Sequence, residues 1–432
     1  MKHSIVTILL ILAVSRYSEA GTSCITPDSL TDPLRLKTFC QSEAKKRYKN
    51  ALRDWQELNK RAEPAWKEFK THRYLEKRFA RLQKRYGKTA LSYTTVAGTG
   101  LIVEIEGDAH QEYSLLIRPE MDGLSFPNAE TGMPEVKHGC GHSVGMSVAC
   151  NLAEMLLDNP GFRWRKVLFL FSPSEEDLPS GLDSMLKSMD LSKYGKLMAL
   201  GQHVSPDVPN HRVEVRGGTA QASTQILKIT IDASAQKGGH IANLNNLNPL
   251  EIWDTLKSEI HHHFRHSSGG AEYLLRWTNI ITNSPADAPH NVLPQKVTIV
   301  GNFRTYSPSH ETKGMSSIDS LLDLYSKKYE RRGVTIRREQ MQGIPVLEND
   351  SLLTESVRDF GGRYLGYPVK VHNLRFGADD FAFFKKYGIP AVLLRTGVEA
   401  TGGLHRQDFA ITDTTVLETS LGLFAYLVYS LN

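Results

Sequence analysis

A thiol and an imidazole lie two residues apart in this chain, with glycines on both sides of the thiol. They belong to residues 137–143, which open an apolar stretch with helical spacing that runs to about Leu157. Ser143 is the expected N-cap, which places Cys140 and His142 at the positive end of the helix dipole. That position favours the thiolate, the form of cysteine that binds metals or attacks substrates. The pair predicts a metal site or a reactive thiol, provided that further ligands reach the same place.

Other potential ligands follow apolar runs that we interpret as buried strands. The runs and the residues that follow them are 113–117 with Asp122, 167–171 with Glu175 and Glu176, 196–200 with His203, and 391–394 with His405. In open α/β sheets, ligands collect beyond the carboxyl ends of the strands. We therefore expect these side chains to meet Cys140 and His142.

The residue types define the chemistry of such a site. Thiolate, imidazole and carboxylate together suit zinc or another borderline first-row ion and do not suit calcium or magnesium. The candidates Cys140, His142, one of the two adjacent glutamates, His203 and His405 exceed the ligand number of a single zinc, so we predict two ions. Of the two glutamates, one would bind metal and the other would act as a general base toward water.

The order of these motifs resembles one family of enzymes. Cys-Gly-His, Glu-Glu after a strand, Gly-x-His and a late Leu-His are similar to the dinuclear metallo-amidohydrolases and metallocarboxypeptidases that include hippurate hydrolase, auxin-conjugate (IAA-amino acid) amidohydrolases and related N-acyl-amino acid hydrolases. Further matching stretches are residues 68–71, 118–124, 217–223, 291–294, 301–304 and 377–381. The resemblance covers the chain from about residue 61 to its end.

The resemblance implies roles for individual residues. The implied metal ligands are Cys140, His142, Glu176, His203 and His405, and the implied general base is Glu175. His240 would help to polarise the substrate carbonyl, often from a partner subunit, and Asp122 would be a carboxylate that supports the metal centre. Asn291 and Arg304 would bind the substrate carboxylate, a task that suits a planar guanidinium.

The chain also departs from the family pattern. Ser143 and Gly145 stand where many relatives have Asp and His, Glu120 replaces a usual Asp, and Asp379 replaces a usual Glu. Residues 177–181 replace the glycine-rich loop that usually follows Glu-Glu. Because every implied metal ligand is present, these departures bear on substrate range and rate more than on metal binding.

The pattern from residue 89 onward, where short strands alternate with helices, predicts an α/β fold. The resemblance makes this a zinc-peptidase-like catalytic domain with a mixed central sheet flanked by helices, plus an inserted small two-layer α+β domain for dimerisation or as a lid. The predicted division begins with a signal peptide (1–20) and a basic helical N-terminal extension (21–60). The catalytic domain then comes in two segments (61–223 and 334–432), with the inserted domain (224–333) between them.

The N-terminus has the pattern of a secretory signal peptide. Lys2 and His3 precede an apolar run at residues 5–14, and small residues at 18 and 20 predict cleavage after Ala20. The alternative is an apolar first helix of a cytosolic protein. We therefore predict a secreted or periplasmic protein, in which Cys24 and Cys40 could form a disulfide. No later stretch is long and apolar enough to span a bilayer.

Composition excludes other classes. The 432 residues are 40% hydrophobic and 23% charged with a net charge of +5, as in ordinary globular proteins, and no nucleic-acid recognition motif is present. The basic segment from about residue 36 to 87 is expected to be helical with a solvated charged face, a membrane-surface or polyanion site being the alternative.

The predicted function is metal-dependent hydrolysis of the amide bond of N-acyl amino acids or short peptides with a free carboxylate. Two divalent ions are expected, with zinc favoured over manganese, cobalt or nickel, and the resemblance implies a homodimer formed through the inserted domain. The alternatives are a non-catalytic metal-binding or assembly protein on the same scaffold and a dinuclear aminopeptidase.

Overall fold

A computed structural model describes residues 32–128, 130–236, 239–267, 273–339 and 341–431. The predicted signal peptide and Cys24 lie outside the described residues. The helices are α1 (Pro33–Asn59), α2 (Phe69–Tyr86), α3 (His142–Asp158), α4 (Gly181–Ser188), α5 (Pro249–Ser267), α6 (Pro308–Glu330), α7 (Ser351–Leu365), α8 (Phe383–Lys386) and α9 (Val416–Ser430). The strands are β1 (Leu91–Val96), β2 (Gly100–Glu106), β3 (Tyr113–Arg118), β4 (Leu124–Phe126), β5 (Glu135–Lys137), β6 (Lys166–Phe171), β7 (Lys196–Ser205), β8 (Val213–Glu214), β9 (Gly218–Gln221), β10 (Gln225–Asp232), β11 (Tyr273–Thr282), β12 (Lys296–Thr305), β13 (Thr335–Glu339), β14 (Leu347–Asn349), β15 (Ala391–Gly397), β16 (Ala400–Thr401) and β17 (Ala410–Ile411).

The largest sheet has the strand order β1-β2-β6-β3-β7-β15-β8. Its centre is parallel, since β6, β3, β7 and β15 run in one direction, and its edges are antiparallel. Both faces are buried: Leu115 and Ile117 pack with α1, α3 and α9, whereas Leu116 between them packs with α4 and α8. The predicted α/β class with a mixed sheet and flanking helices is confirmed. Because the central strands are parallel, their carboxyl ends meet at one edge.

Helix α1 belongs to the main core. Asp32 caps it by accepting a hydrogen bond from the N–H of Leu34 at 2.8 Å, and Pro33 occupies the first turn. Its buried side, which includes Leu36, Ala44 and Leu58, packs against α3 and α9. The predicted extension 21–60 is therefore not a separate unit in its described residues, and the boundary at residue 60 does not divide the structure.

Within α1 the charges do not all lie on a solvated face. Lys45 and Lys46 are exposed, as expected. Arg47, however, is buried and pairs with Glu43 and Asp158. Cys40 is also fully buried, and its pairing with Cys24 stays a prediction.

The inserted domain is a four-stranded antiparallel sheet in the order β11-β12-β10-β13, covered by α5 and α6. The predicted boundary at residue 333 is wrong, because β13 pairs with β10 and does not join the catalytic domain. The chain leaves the catalytic domain at Thr224 and returns to it at Ile344. These two residues exchange main-chain hydrogen bonds of 2.9 and 3.0 Å. Local periodicity identified β13 as a strand, but its sheet depends on long-range pairing.

None of the helices in the described ranges combines the length and the hydropathy that a bilayer crossing requires.

Candidate metal centre

The loop before α3 positions the thiol and the first imidazole. The helix begins at His142 with Gly141 as its N-cap, so the prediction of Ser143 as the N-cap is wrong. Gly141 has a φ of +80°, and a Cβ built on it would lie 2.2 Å from a methyl carbon of Val204. Only glycine fits such a turn, and the helix can therefore begin directly after it. Ser143 instead donates a hydrogen bond to Asn59, 3.1 Å away.

The ends of β3 and β6 lie side by side. The N–H of Met121 donates to the carbonyl of Ser172, and the N–H of Ser172 donates to that of Pro119, each at 2.9 Å. This pairing brings Asp122 and the two glutamates, Glu175 and Glu176, to one edge of the sheet, as predicted from their positions after apolar strands.

The other two histidines come from β7 and from the loop that follows β16. β7 continues to Ser205, so His203 lies inside the strand and not beyond its end as predicted. The Nδ1 of His203 bonds to the carbonyl of Val204 at 2.7 Å, which leaves Nε2 directed at the thiol. The N–H of His405 donates to the carbonyl of Gly139 at 2.9 Å and ties the late loop to the thiol loop.

The five predicted ligands meet at this edge. The Cys140 Sγ lies 3.1 Å from the Nε2 of His203 and 3.3 Å from the Nε2 of His405. The Nε2 of His142 lies 3.8 Å from an oxygen of each glutamate, and that of His405 lies 3.5 Å from Glu176. Three groups have ligand atoms within 4.8 Å of one another: Cys140 with His142 and His203, Cys140 with Glu176 and His405, and His142 with Glu175 and Glu176.

The donor atoms fit metal ions. The Nε2 of His142 and an Oε of Glu176 are buried and have no hydrogen-bond partner, although they face each other. The Nδ1 of His142 is engaged by the carbonyl of Asp122 at 2.9 Å, which leaves Nε2 as the ring nitrogen that faces the carboxylate. A metal ion bound by both atoms would satisfy two buried polar groups that otherwise lack a partner. Cys140, His142 and Glu176 each belong to two of the three groups, so the groups overlap at one place.

Asp122 is fully buried and holds several elements of the site. Its main-chain carbonyl accepts from the Nδ1 of His138 at 3.0 Å as well as from His142, and its carboxylate accepts the N–H of Glu176 at 2.9 Å. Burial opposes the charged form, but the hydrogen bonds from His142 and Glu176 outweigh burial and lower the pKa of Asp122. Asp122 thus keeps a negative charge beside the ligands.

The pKa values of Glu175 and Cys140 are raised, whereas that of Asp122 is lowered. Burial and the carboxylates of Glu176 and Asp379 raise the pKa of Glu175 well above its ordinary value. Burial and the two glutamates also raise the pKa of the Cys140 thiol, so the start of the helix does not by itself supply a thiolate. The positive charge of a bound metal would stabilise the thiolate.

A cavity of about 560 Å³ opens over these groups. The catalytic domain contributes Cys140, Glu175, Glu176, His203 and His405 to its lining, and the inserted domain contributes Thr224, Ile226, Asn302 and Arg304. Arg304 donates to Asn302 at 2.8 Å and to the carbonyl of Phe376 at 2.6 Å. Among the described residues, no carboxylate lies within ion-pairing distance of Arg304.

Two predicted site residues are not brought into this cavity. His240 and Asn291 are exposed on the inserted domain and contact each other, with the Nδ2 of Asn291 3.1 Å from the Nε2 of His240. Neither lines the cavity. The structure therefore gathers the five ligands, Glu175, Asp122 and Arg304, and separates Asn291 from Arg304.

Sequence reasoning missed a buried cation behind the site. Arg118 is fully buried and contacts Glu120, Asp379 and Asp380, and it donates to Ser172 at 2.8 Å. Arg118 lies in a stretch that matched the family, but that match gave no role. The guanidinium neutralises carboxylates that would otherwise add to the charge beside Glu175.

A metal-ligand cluster at the strand ends of a mixed sheet, with an inserted α+β domain over it, is the arrangement of a metallo-amidohydrolase. Residues 116–430 match the model of peptidase family M20/M25/M40, and the chain belongs to this family. The chain is also 27% identical over 375 residues to the N-acetyldiaminopimelate deacetylase of Bacillus pumilus, a match that covers 85% of this chain and 94% of the relative.

Solved structures show the same fold. The aminobenzoyl-glutamate utilization protein from Klebsiella pneumoniae superposes with a TM-score of 0.69 at 14% identity, covering 91% of this chain and 98% of that one. A dinuclear metal-binding peptidase of the M20 family from Bacillus subtilis superposes with a TM-score of 0.68 at 18% identity, covering 89% and 98%.

Proposed function

We propose that this amide hydrolase acts on N-acyl amino acids or short peptides that carry a free carboxylate. The proposal rests on two residues that line the same cavity. Glu175 is buried beside the ligand cluster, and Arg304 forms no ion pair with any carboxylate among the described residues. The similarity to a deacetylase of an N-acetylated amino acid supports an acyl group on the amine.

Arg304 is suited to the substrate carboxylate. Burial lowers the pKa of Arg304, and the Glu175 carboxylate offsets this effect only in part. Its bonds to Asn302 and Phe376 fix the guanidinium plane and leave other N–H groups for a ligand. A carboxylate bound there offsets the cost of the buried charge.

Glu175 carries the proton. As a carboxylate with a raised pKa it accepts a proton from the attacking water and then delivers it to the leaving amine. Ions held by Cys140, His142, Glu176, His203 and His405 would acidify that water and polarise the carbonyl. Zinc fits the thiolate, imidazole and carboxylate set, and manganese, cobalt and nickel remain alternatives.

The two other predicted functions fit the site less well. A non-catalytic metal-binding protein has no need of a carboxylate for proton transfer, the role that the resemblance implies for Glu175. A dinuclear aminopeptidase would require an acidic group for the substrate amine at the position where Arg304 lies. The arginine therefore favours recognition of a carboxylate.

Assembly and location complete the proposal. The protein would form a homodimer through the inserted domain. The exposed pair His240 and Asn291 would then act in the cavity of the second subunit. Neither residue lines the cavity of its own chain, which supports this arrangement. Residues 1–20 would direct the protein to the periplasm or outside the cell.

The test is hydrolysis of a panel of N-acyl amino acids, dipeptides and amino-acid amides by the purified protein, before and after treatment with a chelator. We expect turnover of substrates with a free carboxylate, loss of turnover with the chelator, and recovery on adding zinc or manganese. Turnover of amino-acid amides alone would establish the aminopeptidase alternative, and no turnover at full metal content would support the non-catalytic one.

A further inference from the structure

A second arginine in the cavity wall also has no anionic partner. Arg395 lies on β15, in register with His203 of β7, and only 7% of it is exposed. It donates to the hydroxyl of Ser205 at 2.7 Å, while its Nε is buried without any hydrogen-bond partner. Within the described residues, no carboxylate comes close enough to form an ion pair with Arg395.

A third arginine, Arg375, adds positive charge beside it. Arg375 pairs with Asp207 at 2.7 Å, and both residues line the cavity, Asp207 being 66% exposed. Burial and the neighbouring Arg375 lower the pKa of Arg395 to about 10. Both guanidiniums line one cavity, and the one carboxylate that Arg375 contacts is largely solvated.

The carboxylates nearby form no ion pair with Arg395. Glu214, which lies opposite Arg395 on β8, and Asp207 raise its pKa only from beyond ion-pairing distance. Asp207 contacts Arg375, and Asp379 contacts Arg118. A buried guanidinium without an anionic partner is costly unless a ligand supplies the missing negative charge. Because Arg395 lines the substrate cavity, a carboxylate bound in that cavity can do so.

We propose that Arg395 and Arg375 form a second carboxylate subsite, so that the preferred substrates are N-acyl amino acids with two carboxylates. One carboxylate would bind at Arg304 and the other at Arg395 and Arg375. The second carboxylate would come from the side chain of the amino acid or from the far end of the acyl group. This inference rests on the proposed function, which supplies the reaction. The binding of the second carboxylate can be tested separately from hydrolysis.

The competing role for Arg395 is support of the metal centre, since the Cys140 thiol also acts on its pKa. If Arg395 served only to balance a metal-bound thiolate, its replacement would alter metal content and affect all substrates alike. A subsite predicts a change in the preference between charged and neutral isosteres at constant metal content.

The experiment measures binding to the full-length, metal-loaded Glu175→Gln protein by titration calorimetry. One arm compares N-acetylglutamate with N-acetylglutamine, and the other compares N-succinylalanine with its neutral amide analogue. We expect a preference of roughly tenfold to a hundredfold for the dicarboxylate in one arm, the range for hydrogen bonds to a charged group. The arm that shows the preference identifies which portion of the substrate carries the second carboxylate.

Arg395→Gln is expected to reduce that ratio to near one while the protein keeps its two ions. Arg363→Gln is the matched control, because Arg363 forms an exposed pair with Asp359 on α7, and it should leave the ratio unchanged. Equal binding of charged and neutral isosteres in both arms, or a ratio that survives Arg395→Gln, would overturn the subsite. Loss of metal in Arg395→Gln with an unchanged ratio would assign Arg395 to the metal centre.

The same ligands distinguish this inference from the proposed function. Preferential binding of a dicarboxylate without hydrolysis by the unmodified protein would leave the subsite standing and refute the proposed reaction. Hydrolysis of the charged and neutral members of both ligand pairs with equal kcat/KM would refute the subsite and leave the proposed reaction standing.

Discussion

The carboxylate of Glu68 accepts a hydrogen bond from the main-chain N–H of Ser174, 2.9 Å away, across 106 residues of sequence. The same carboxylate accepts from the N–H of Trp66 at 2.9 Å and the hydroxyl of Thr99 at 2.5 Å. Ser174 has a φ of 47°, in the left-handed region, and it directly precedes Glu175. Glu68 is therefore a buried anchor that holds a strained residue in the catalytic loop.

Replacing Glu68 should impair the position of Glu175 and leave the ions in place. For Glu68→Ala we expect kcat to fall by roughly tenfold to a hundredfold, as small misplacements of reacting groups do, with little change in KM. Glu68→Gln retains one acceptor oxygen and should recover some of the loss. Steady-state kinetics with elemental analysis will check this. If KM rises in both variants while kcat stays unchanged, Glu68 does not position Glu175.

Cys140→Ser should lower metal occupancy first and activity as a result. Cys140 belongs to two of the three ligand groups, so its loss affects both ions. We expect metal affinity to fall by at least about tenfold, a decrease that excess zinc partly reverses. Elemental analysis after dialysis measures this, with Cys150→Ser, a buried cysteine of α3 outside the ligand groups, as the control. Full metal content in Cys140→Ser would show that the thiol is not a ligand.

Glu175→Gln should abolish turnover and keep the metal. The amide has almost the same shape but cannot accept a proton, and we expect kcat to fall by roughly 10²- to 10⁴-fold. Glu176→Gln is the informative comparison, because it removes a ligand and should reduce metal content as well. Near-normal hydrolysis by the Glu175→Gln protein would refute the assigned mechanism.

Arg118→Met should destabilise the catalytic domain. It removes the cation from a buried cluster that includes Glu120, Asp379 and Asp380, and an uncompensated buried charge costs about 3–5 kcal/mol. Adding Asp380→Asn should recover some of this cost. The denaturation midpoints of metal-loaded proteins provide the measurement.

Arg363→Met is the control for that experiment. Arg363 forms an exposed i,i+4 pair with Asp359 on α7, and such helix pairs contribute about 0.5 kcal/mol or less. Equal shifts of the two midpoints would contradict the role assigned to the Arg118 cluster.

The ligands could be predicted from the sequence because each depends on a short segment. A strand of apolar residues followed by Glu175 and Glu176 identifies both the strand and its functional end, and parallel strands end at one edge. The resemblance then supplied roles that geometry alone leaves open, such as the choice of Glu176 as the ligand.

Features that depend on distant contacts were not predictable. β13 has the pattern of a strand in either sheet, and only its pairing with β10 assigns it. Arg395 stands at the end of an apolar run, but its lack of an anionic partner is a property of the folded cavity. Likewise, the charges around α1 suggested a surface segment, whereas its apolar residues lie in the main core.

The contact between α1 and α9 has a consequence for biosynthesis. Roughly 350 residues separate these helices, and at translation rates of about 5–20 residues per second the second helix emerges about 20–70 s after the first. During that interval the side of α1 that finally packs on α9 has no native partner. The newly made chain therefore carries an amphipathic helix whose apolar side a holding chaperone can bind until synthesis ends. Any early stop before α9 leaves that side uncovered.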